Sequence, residues 1–322
     1  MRNFLAVAGK TVLFSLVLLT LVFPSLAQVT LRRAMDVNGD GKADYTIYRQ
    51  TNNVWYTLRN GGTPVFTYFG LAGLDMPVPG DFDGDGKGDV AVFREVDGDW
   101  YWLNSSNGAF NVAHFGSAGD EPVGRDWDGD GKTDLAVVRR SNGVLIWYFR
   151  AGVDGSFTQT EFGASTDFTA PGDYDGDGKF DIAIQRPGAT ADSSAVFHIR
   201  SSRNGTISAT SWGKSSDLVI PGDYDGDGKT DIAVLREGAK PSDNLQWLIL
   251  KSSGGSITTS FGITSVDYNV QNDYDGDGKT DIAVYRNGTP GAFYVLNSTT
   301  GAMSAVGWGV ENDIPVASYD TH

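Results

Sequence analysis

One short stretch is spelled six times along this chain, and its period restricts the folds available more than any other feature. The copies begin at Asp36, Asp81, Asp126, Asp173, Asp223 and Asp273, at intervals of 45 to 50 residues. The cleanest copy, DYDGDGKTDIAVYR, runs from Asp273 to Arg286. A nine-residue loop opens it, with acids at positions 1, 3, 5 and 9 and glycines at positions 4 and 6. An apolar run follows, ending in arginine. Tandem units of this length require each unit to be one supersecondary element that buries its apolar face against its neighbours.

The rest of each unit repeats as well. An aromatic segment comes after the loop: Trp55-Tyr56, Trp100-Tyr101-Trp102, Trp147-Tyr148, Phe197, Trp247 and Phe293-Tyr294. A Phe-Gly or Trp-Gly pair closes the unit at Gly70, Gly116, Gly163, Gly213, Gly262 and Gly309. An aspartate then precedes the next loop: Asp75, Asp120, Asp167, Asp217, Asp267 and Asp313. Strand formers bounded by Gly, Asn, Asp and Pro give four short strands per unit, and no helical periodicity is sustained. Four-stranded units in tandem predict an all-β fold, a β-propeller; a β-solenoid is the competing architecture, with shorter turns. Six blades are expected, with Val29–Met35 as the first strand and the extra segment Asp313–Asp320 at the seam. A seventh, incomplete blade is the alternative. The aromatics are expected mainly between blades, in the core.

The loop chemistry points to a hard cation. The candidate ligands are Asp36, Asn38, Asp40, Lys42 and Asp44; Asp81, Asp83, Asp85, Lys87 and Asp89; Asp126, Asp128, Asp130, Lys132 and Asp134; Asp173, Asp175, Asp177, Lys179 and Asp181; Asp223, Asp225, Asp227, Lys229 and Asp231; and Asp273, Asp275, Asp277, Lys279 and Asp281. Four carboxylates in nine residues repel one another unless a cation lies among them, and all-oxygen donors on a tight curl suit Ca²⁺. A polar turn explains Asp-Gly pairs, but it does not require an acid at position 9 in every copy. An EF-hand needs a glutamate at position 12 and flanking helices; here position 12 is Ile47, Val92, Val137, Ile184, Val234 or Val284. By analogy with other Ca²⁺ loops, each lysine would offer its backbone carbonyl, leaving the ammonium in solvent. Mg²⁺ prefers to keep its waters, and Zn²⁺ lacks nearby His or Cys.

These loops, the closing Phe-Gly and the period resemble FG-GAP or VCBS repeats, the units of integrin-α-like β-propellers, over essentially all of residues 28–322. The resemblance implies that each loop joins the first and second strands of a blade and holds Ca²⁺ through positions 1, 3, 5 and 9. Asn38 departs from the aspartate pattern, which implies a weaker first site. It also implies extracellular binding or adhesion, with a protein or a glycan as partner.

Composition limits the remaining classes. The formal net charge is −15, so the overall field does not favour nucleic acid. There is no cysteine, which excludes disulfides, thiolate metal sites and a cysteine nucleophile. Residues 1–27, with Arg2, Lys10, an apolar run to Phe23 and Ser25-Leu26-Ala27, read as a secretory signal peptide; an uncleaved anchor is the alternative. Residues 28–322 form the propeller, with no further membrane span. His114, His198 and His322 belong to no recognisable catalytic motif. The arginines ending each copy, Arg49, Arg94, Arg139, Arg186, Arg236 and Arg286, are expected to pair with carboxylates, among them the recurring aspartate of an adjacent blade. Asn104, Asn204, Asn287 and Asn297 begin Asn-x-Ser/Thr triplets. A secreted Ca²⁺-stabilised binding or adhesion module is the leading expectation. A lectin is second, and an enzyme on the scaffold is third.

Overall fold

In a computed structural model, which describes residues 34–150 and 157–317, the repeats form six four-stranded antiparallel sheets arranged as a β-propeller. No helix occurs among the described residues. Blade 2 shows the plan: Asp75–Pro77, Val90–Arg94, Asp99–Leu103 and Phe110–His114, in spatial order. Blade 3 comprises Glu121–Pro122, Leu135–Ser141, Val144–Arg150 and Phe157–Ala164. Blade 4 comprises Phe168–Thr169, Ile182–Arg186, Ser194–Arg200 and Ile207–Lys214. Blade 5 comprises Leu218–Val219, Ile232–Arg236, Asn244–Leu250 and Ser256–Ile263, and blade 6 comprises Asp267–Asn269, Ile282–Arg286, Ala292–Leu296 and Met303–Gly307.

Blade 1 is assembled from both parts of the chain. Tyr45–Arg49, Val54–Leu58 and Pro64–Tyr68 take their first strand from Ile314–Val316, with Thr46 opposite Val316 and Tyr48 opposite Ile314. This corrects the expectation that Val29–Met35 supplies that strand. Ala34 and Met35 form a turn before the first loop, and residues 29–33 lie outside the described residues, as do the signal-peptide segment and His322. The short segment after Asp313 thus completes the first blade rather than starting a seventh.

The strand patterns follow from position in the ring. Second strands read IAVLR or its equivalents and are buried along most of their length. Fourth strands alternate exposed and half-buried residues, as an outer edge does. The first aromatic of each third strand is buried: Trp55, Trp100, Trp147, Phe197, Trp247 and Phe293 are all at most 2% exposed. Four of these are indoles, and each donates its N–H to the carbonyl of its blade's closing Phe, at 2.8–3.3 Å. Burial therefore leaves none of these four indole donors unpaired. Trp212 and Trp308 instead bond across to the next blade, at Leu248 and Tyr56. The second aromatic faces outward beneath the repeat arginine, as Arg49 over Tyr56 at 4.2 Å shows. His198 takes that tyrosine's register in blade 4, which gives it a structural place.

Candidate metal centres

At one rim of the ring, the chain curls through the acidic loops in the same way six times. Position 1 accepts backbone N–H groups from the glycines at positions 4 and 6, at 2.6–3.0 Å. Those glycines hold φ between +74° and +90°, the left-handed region that an L side chain enters only with strain. Position 9 accepts the N–H of position 2, as Asp231 does from Tyr224 at 2.9 Å. Among the described residues, its other oxygen accepts an N–H from the turn after the third strand in blades 1, 2, 4, 5 and 6, as Asp231 does from Ser252 at 2.7 Å. Positions 1 and 9 are buried in every loop, whereas positions 3 and 5 are half-buried or exposed.

These bonds draw carboxylates together. In the third to sixth loops, positions 1, 3 and 9 each place an oxygen within 4.8 Å of the others: Asp126, Asp128, Asp134; Asp173, Asp175, Asp181; Asp223, Asp225, Asp231; and Asp273, Asp275, Asp281. In the second loop the trio is Asp81, Asp83 and Asp85. The first loop forms no such acid trio among the described residues. There Asn38 accepts the Asp40 N–H and donates its own amide to the Asp40 carboxylate. Position 5 in the later loops accepts the N–H of the position 7 lysine, at 2.9–3.0 Å.

Electrostatics at these clusters favour a cation. Burial pushes the carboxyls of Asp44, Asp89, Asp126, Asp181, Asp223 and Asp281 up to about 6, and that of Asp231 to about 7. Neighbouring aspartates push in the same direction. Oδ1 of Asp225 is buried and accepts no hydrogen bond, and Oδ1 of Asp175, also buried without one, has the Arg203 guanidinium no nearer than 3.7 Å. A buried carboxylate oxygen without a donor is costly, and a hard divalent ion among these oxygens would satisfy it.

Hydroxyl groups that the loop pattern alone does not reveal also reach these acids. Ser105 and Ser106 bond Asp85 and Asp83; Ser201 and Ser202 bond Asp175 and Asp177; Ser252 bonds Asp227; and Ser298 bonds Asp277, all at 2.5–3.0 Å. Ser253, Asn297 and Thr299 reach Asp225, Asp275 and Asp277. Their signal is a Ser-Ser or Asn-Ser-Thr group following each third strand in blades 2, 4, 5 and 6. Two of the Asn-x-Ser/Thr triplets, at Asn104 and Asn297, therefore contribute hydroxyls to the loops.

The loops also touch one another. The stem of each position 7 lysine lies across the position 4 glycine of the preceding loop: Lys132 over Gly84, Lys279 over Gly226, and Lys42 over Gly276 at the seam. Another internal match lies beside it. Where the residue before a loop is Gly80, Gly172 or Gly222, the next loop carries Thr133, Thr230 or Thr280 at position 8, in the space a Cβ would need. Where that residue is Met35, Arg125 or Asn272, position 8 of the next loop is Gly88, Phe180 or Ala43.

The opposite rim carries the recurring aspartate. Asp75, Asp120, Asp167, Asp217, Asp267 and Asp313 each bind both sides of one guanidinium, at 2.7–3.2 Å. The arginine belongs to the same blade, from the second strand beside the aspartate's first strand. This corrects the expected pairing across blades. The reason is register: Asp75 lies directly opposite Arg94, and Asp267 opposite Arg286. The same carboxylates also accept the N–H following the closing glycine of the preceding blade, at 2.7–2.8 Å. Phe-Gly is thus the corner at which one blade hands over to the next.

Three openings lie among the described residues. A cavity of about 860 Å³ is lined by first-strand residues of blades 1 to 4, including Met76, Glu121, Phe168 and Ile314. Glu121 breaks the apolar series there, held by Arg140 at 3.1 Å and by the Thr169 hydroxyl. Grooves of about 490 and 400 Å³ run between blades 3 and 4 and between blades 4 and 5, beside Asp128 and Asp175 respectively.

The FG-GAP-like repeat family matches residues 36–92 and 126–184. No curated protein sequence matches the chain. Among solved structures, TolB from Acinetobacter baumannii superposes with a TM-score of 0.56 at 16% identity, covering 85% of this chain and 63% of that one. AofleA from Arthrobotrys oligospora gives 0.50 at 12% identity, covering 90% of each chain. At these identities the likeness concerns the fold. No helix among the described residues is long and apolar enough to cross a membrane.

Proposed function

We propose that this six-bladed propeller of FG-GAP-like repeats is a Ca²⁺-stabilised extracellular binding module whose acidic loops are structural metal sites. The observation carrying this reading is the convergence of three carboxylate oxygens within 4.8 Å of one another in five successive loops, with two of the three acids buried in four of them. The carboxylates at positions 1, 3 and 9 would hold the ion, with position 5 and the lysine carbonyl completing the shell; Asn38 would serve in the first loop. The donor set is all oxygen, which suits Ca²⁺ over Zn²⁺. Extracellular Ca²⁺ near 1 mM would saturate sites with dissociation constants around 0.1 mM, each adding about 1.4 kcal/mol. Residues 1–27 would export the chain. The partner would be an extracellular protein or glycan, and the function is binding rather than catalysis.

Dialysis against 1 mM Ca²⁺ followed by metal analysis should find about five or six ions per chain, fitting oxygen-rich sites of this kind. A chain emerging without Ca²⁺ would overturn the metal reading. Pull-down of surface and matrix components with and without Ca²⁺ tests the partner class. A second reading, carbohydrate binding, draws support from the groove between blades 3 and 4. There Trp127 and Phe149 stand beside Asp128, Arg200 and Ser201. A glycan array on the wild type and on Trp127→Ala separates the two. Loss of a glycan signal in the variant favours the lectin; no signal from either protein favours a protein partner.

A further inference from the structure

We infer that the metal sites fill as a coupled ring, each bound ion preparing the next site, with the coupling continuing across the chain's seam. This rests on the Ca²⁺ reading above. The linking element is a backbone hydrogen bond repeated six times. Position 8 of each loop donates its N–H to the position 1 carbonyl of the loop before it. Gly88 donates to Asp36, Thr133 to Asp81, Phe180 to Asp126, Thr230 to Asp173, Thr280 to Asp223, and Ala43 to Asp273, at 2.6–3.0 Å. The last of these closes the circle between the first and sixth blades.

The path is short and passes through ligands. The position 1 carboxylate belongs to one site, and its own carbonyl is held by the following loop. The donor there is the residue just before position 9, a buried carboxylate of the following site. Position 9 is itself pinned, since its N–H bonds the carbonyl preceding its loop, as Asp231 does to Gly222 at 2.7 Å. A second link runs alongside, the lysine stem lying on the preceding loop's position 4 glycine. An ion that fixes position 1 in one loop therefore orders positions 7 to 9 of the next. The second ion then meets a loop whose ordering cost has already been met, which is positive cooperativity. The first loop, with Asn38 and no acid trio, still carries both links. It passes the coupling on even where its own affinity is low.

Calcium titration of the full chain by calorimetry, with Tb³⁺ luminescence as a second readout, tests this. The wild type should bind with a Hill coefficient above about 1.5. Asp225→Asn removes one ligand on the half-buried side of the fifth loop. It should weaken the remaining sites by about five-fold, the low end of ordinary coupling. Lys279→Ala leaves every carboxylate and the position 7 backbone carbonyl in place and removes the stem lying over Gly226 together with its ammonium. It should lower the Hill coefficient with an unchanged ion count, which separates coupling from ligand loss and from misfolding. Lys279→Met removes the charge but keeps a stem, and should hold the Hill coefficient near that of the wild type. A Hill coefficient of 1 with unchanged affinity at the remaining sites would overturn the coupling while leaving the Ca²⁺ reading intact. No binding at all would overturn both.

Discussion

Asp217 and Asp223 are both almost wholly buried, at 4% and 1% exposure, and they flank one first strand. Asp217, at the rim of the closing glycines, sits in a two-pronged bond with Arg236 and also accepts the Lys214 N–H. Asp223, at the loop rim, accepts backbone N–H groups from Gly226, Asp227 and Gly228 on its carboxylate, and it shares its space with Asp225 and Asp231. Burial pushes its carboxyl up to about 6. The same ring therefore sets its buried acids in two different environments. One rim carries its counter-charge in the chain; the other presents negative charge that an added cation would balance. The arginine rim should therefore be indifferent to metal, and the loop rim should be governed by it.

The largest expected effect breaks the first half of that comparison. Arg236→Met strands Asp217 and should cost about 3 kcal/mol in urea unfolding, the low end for breaking a buried pair because the guanidinium is partly exposed. The loss should be the same in Ca²⁺ and in EDTA. A loss that appears only in Ca²⁺ would join the two rims and contradict the division.

Asp225→Asn addresses the other rim and should change sign with conditions. In 1 mM Ca²⁺ the weakening of its own site should destabilise by about 1–2 kcal/mol, and any loss beyond that measures the coupling to the other sites. In EDTA it should be neutral or slightly stabilising, because it removes a carboxylate whose Oδ1 is buried without a donor. Equal destabilisation in both conditions would make the residue a packing element only.

A smaller effect is expected where the loops touch. Gly84 holds φ +79°, and a Cβ there would approach the Lys132 stem to 2.8 Å. Gly84→Ala should cost about 1 kcal/mol from backbone strain, and Lys132→Ala in the same chain should relieve only the steric share. Full rescue by the second change would make the contact, rather than φ, the cause.

Much of this was legible in the repeat. The period and the strand-type residues after each loop lead to four-stranded blades, and Trp100 or Trp247 in a third strand reads as core. Two features were not legible because they depend on closure. Ile314–Val316 joins Tyr45–Arg49 only once the ring brings residues far apart in sequence side by side. Likewise, Arg94 meets Asp75 within a blade because antiparallel register sets them opposite, which spacing alone leaves undecided. At the loops, positions 1, 3 and 9 were visible as acids, but the hydroxyls of Ser201 and Ser252 were not. They belong to a different turn, which the blade folds over the loop.

The most direct test is a pair of thermal-melt series on the wild type, from pH 4.5 to 7.5, in 2 mM Ca²⁺ and in EDTA. Without metal, the raised carboxyls bind protons in the folded state that the unfolded chain, titrating near 3.9, has already released. Their contribution is full below about pH 4 and is lost as pH rises through about 6 to 7, the values at Asp223 and Asp231. With Ca²⁺ the sign reverses, because binding requires deprotonated ligands. Tm should fall with pH in EDTA and rise with pH in Ca²⁺, the gap being widest at pH 7.5. Two superimposable series would contradict this reversal.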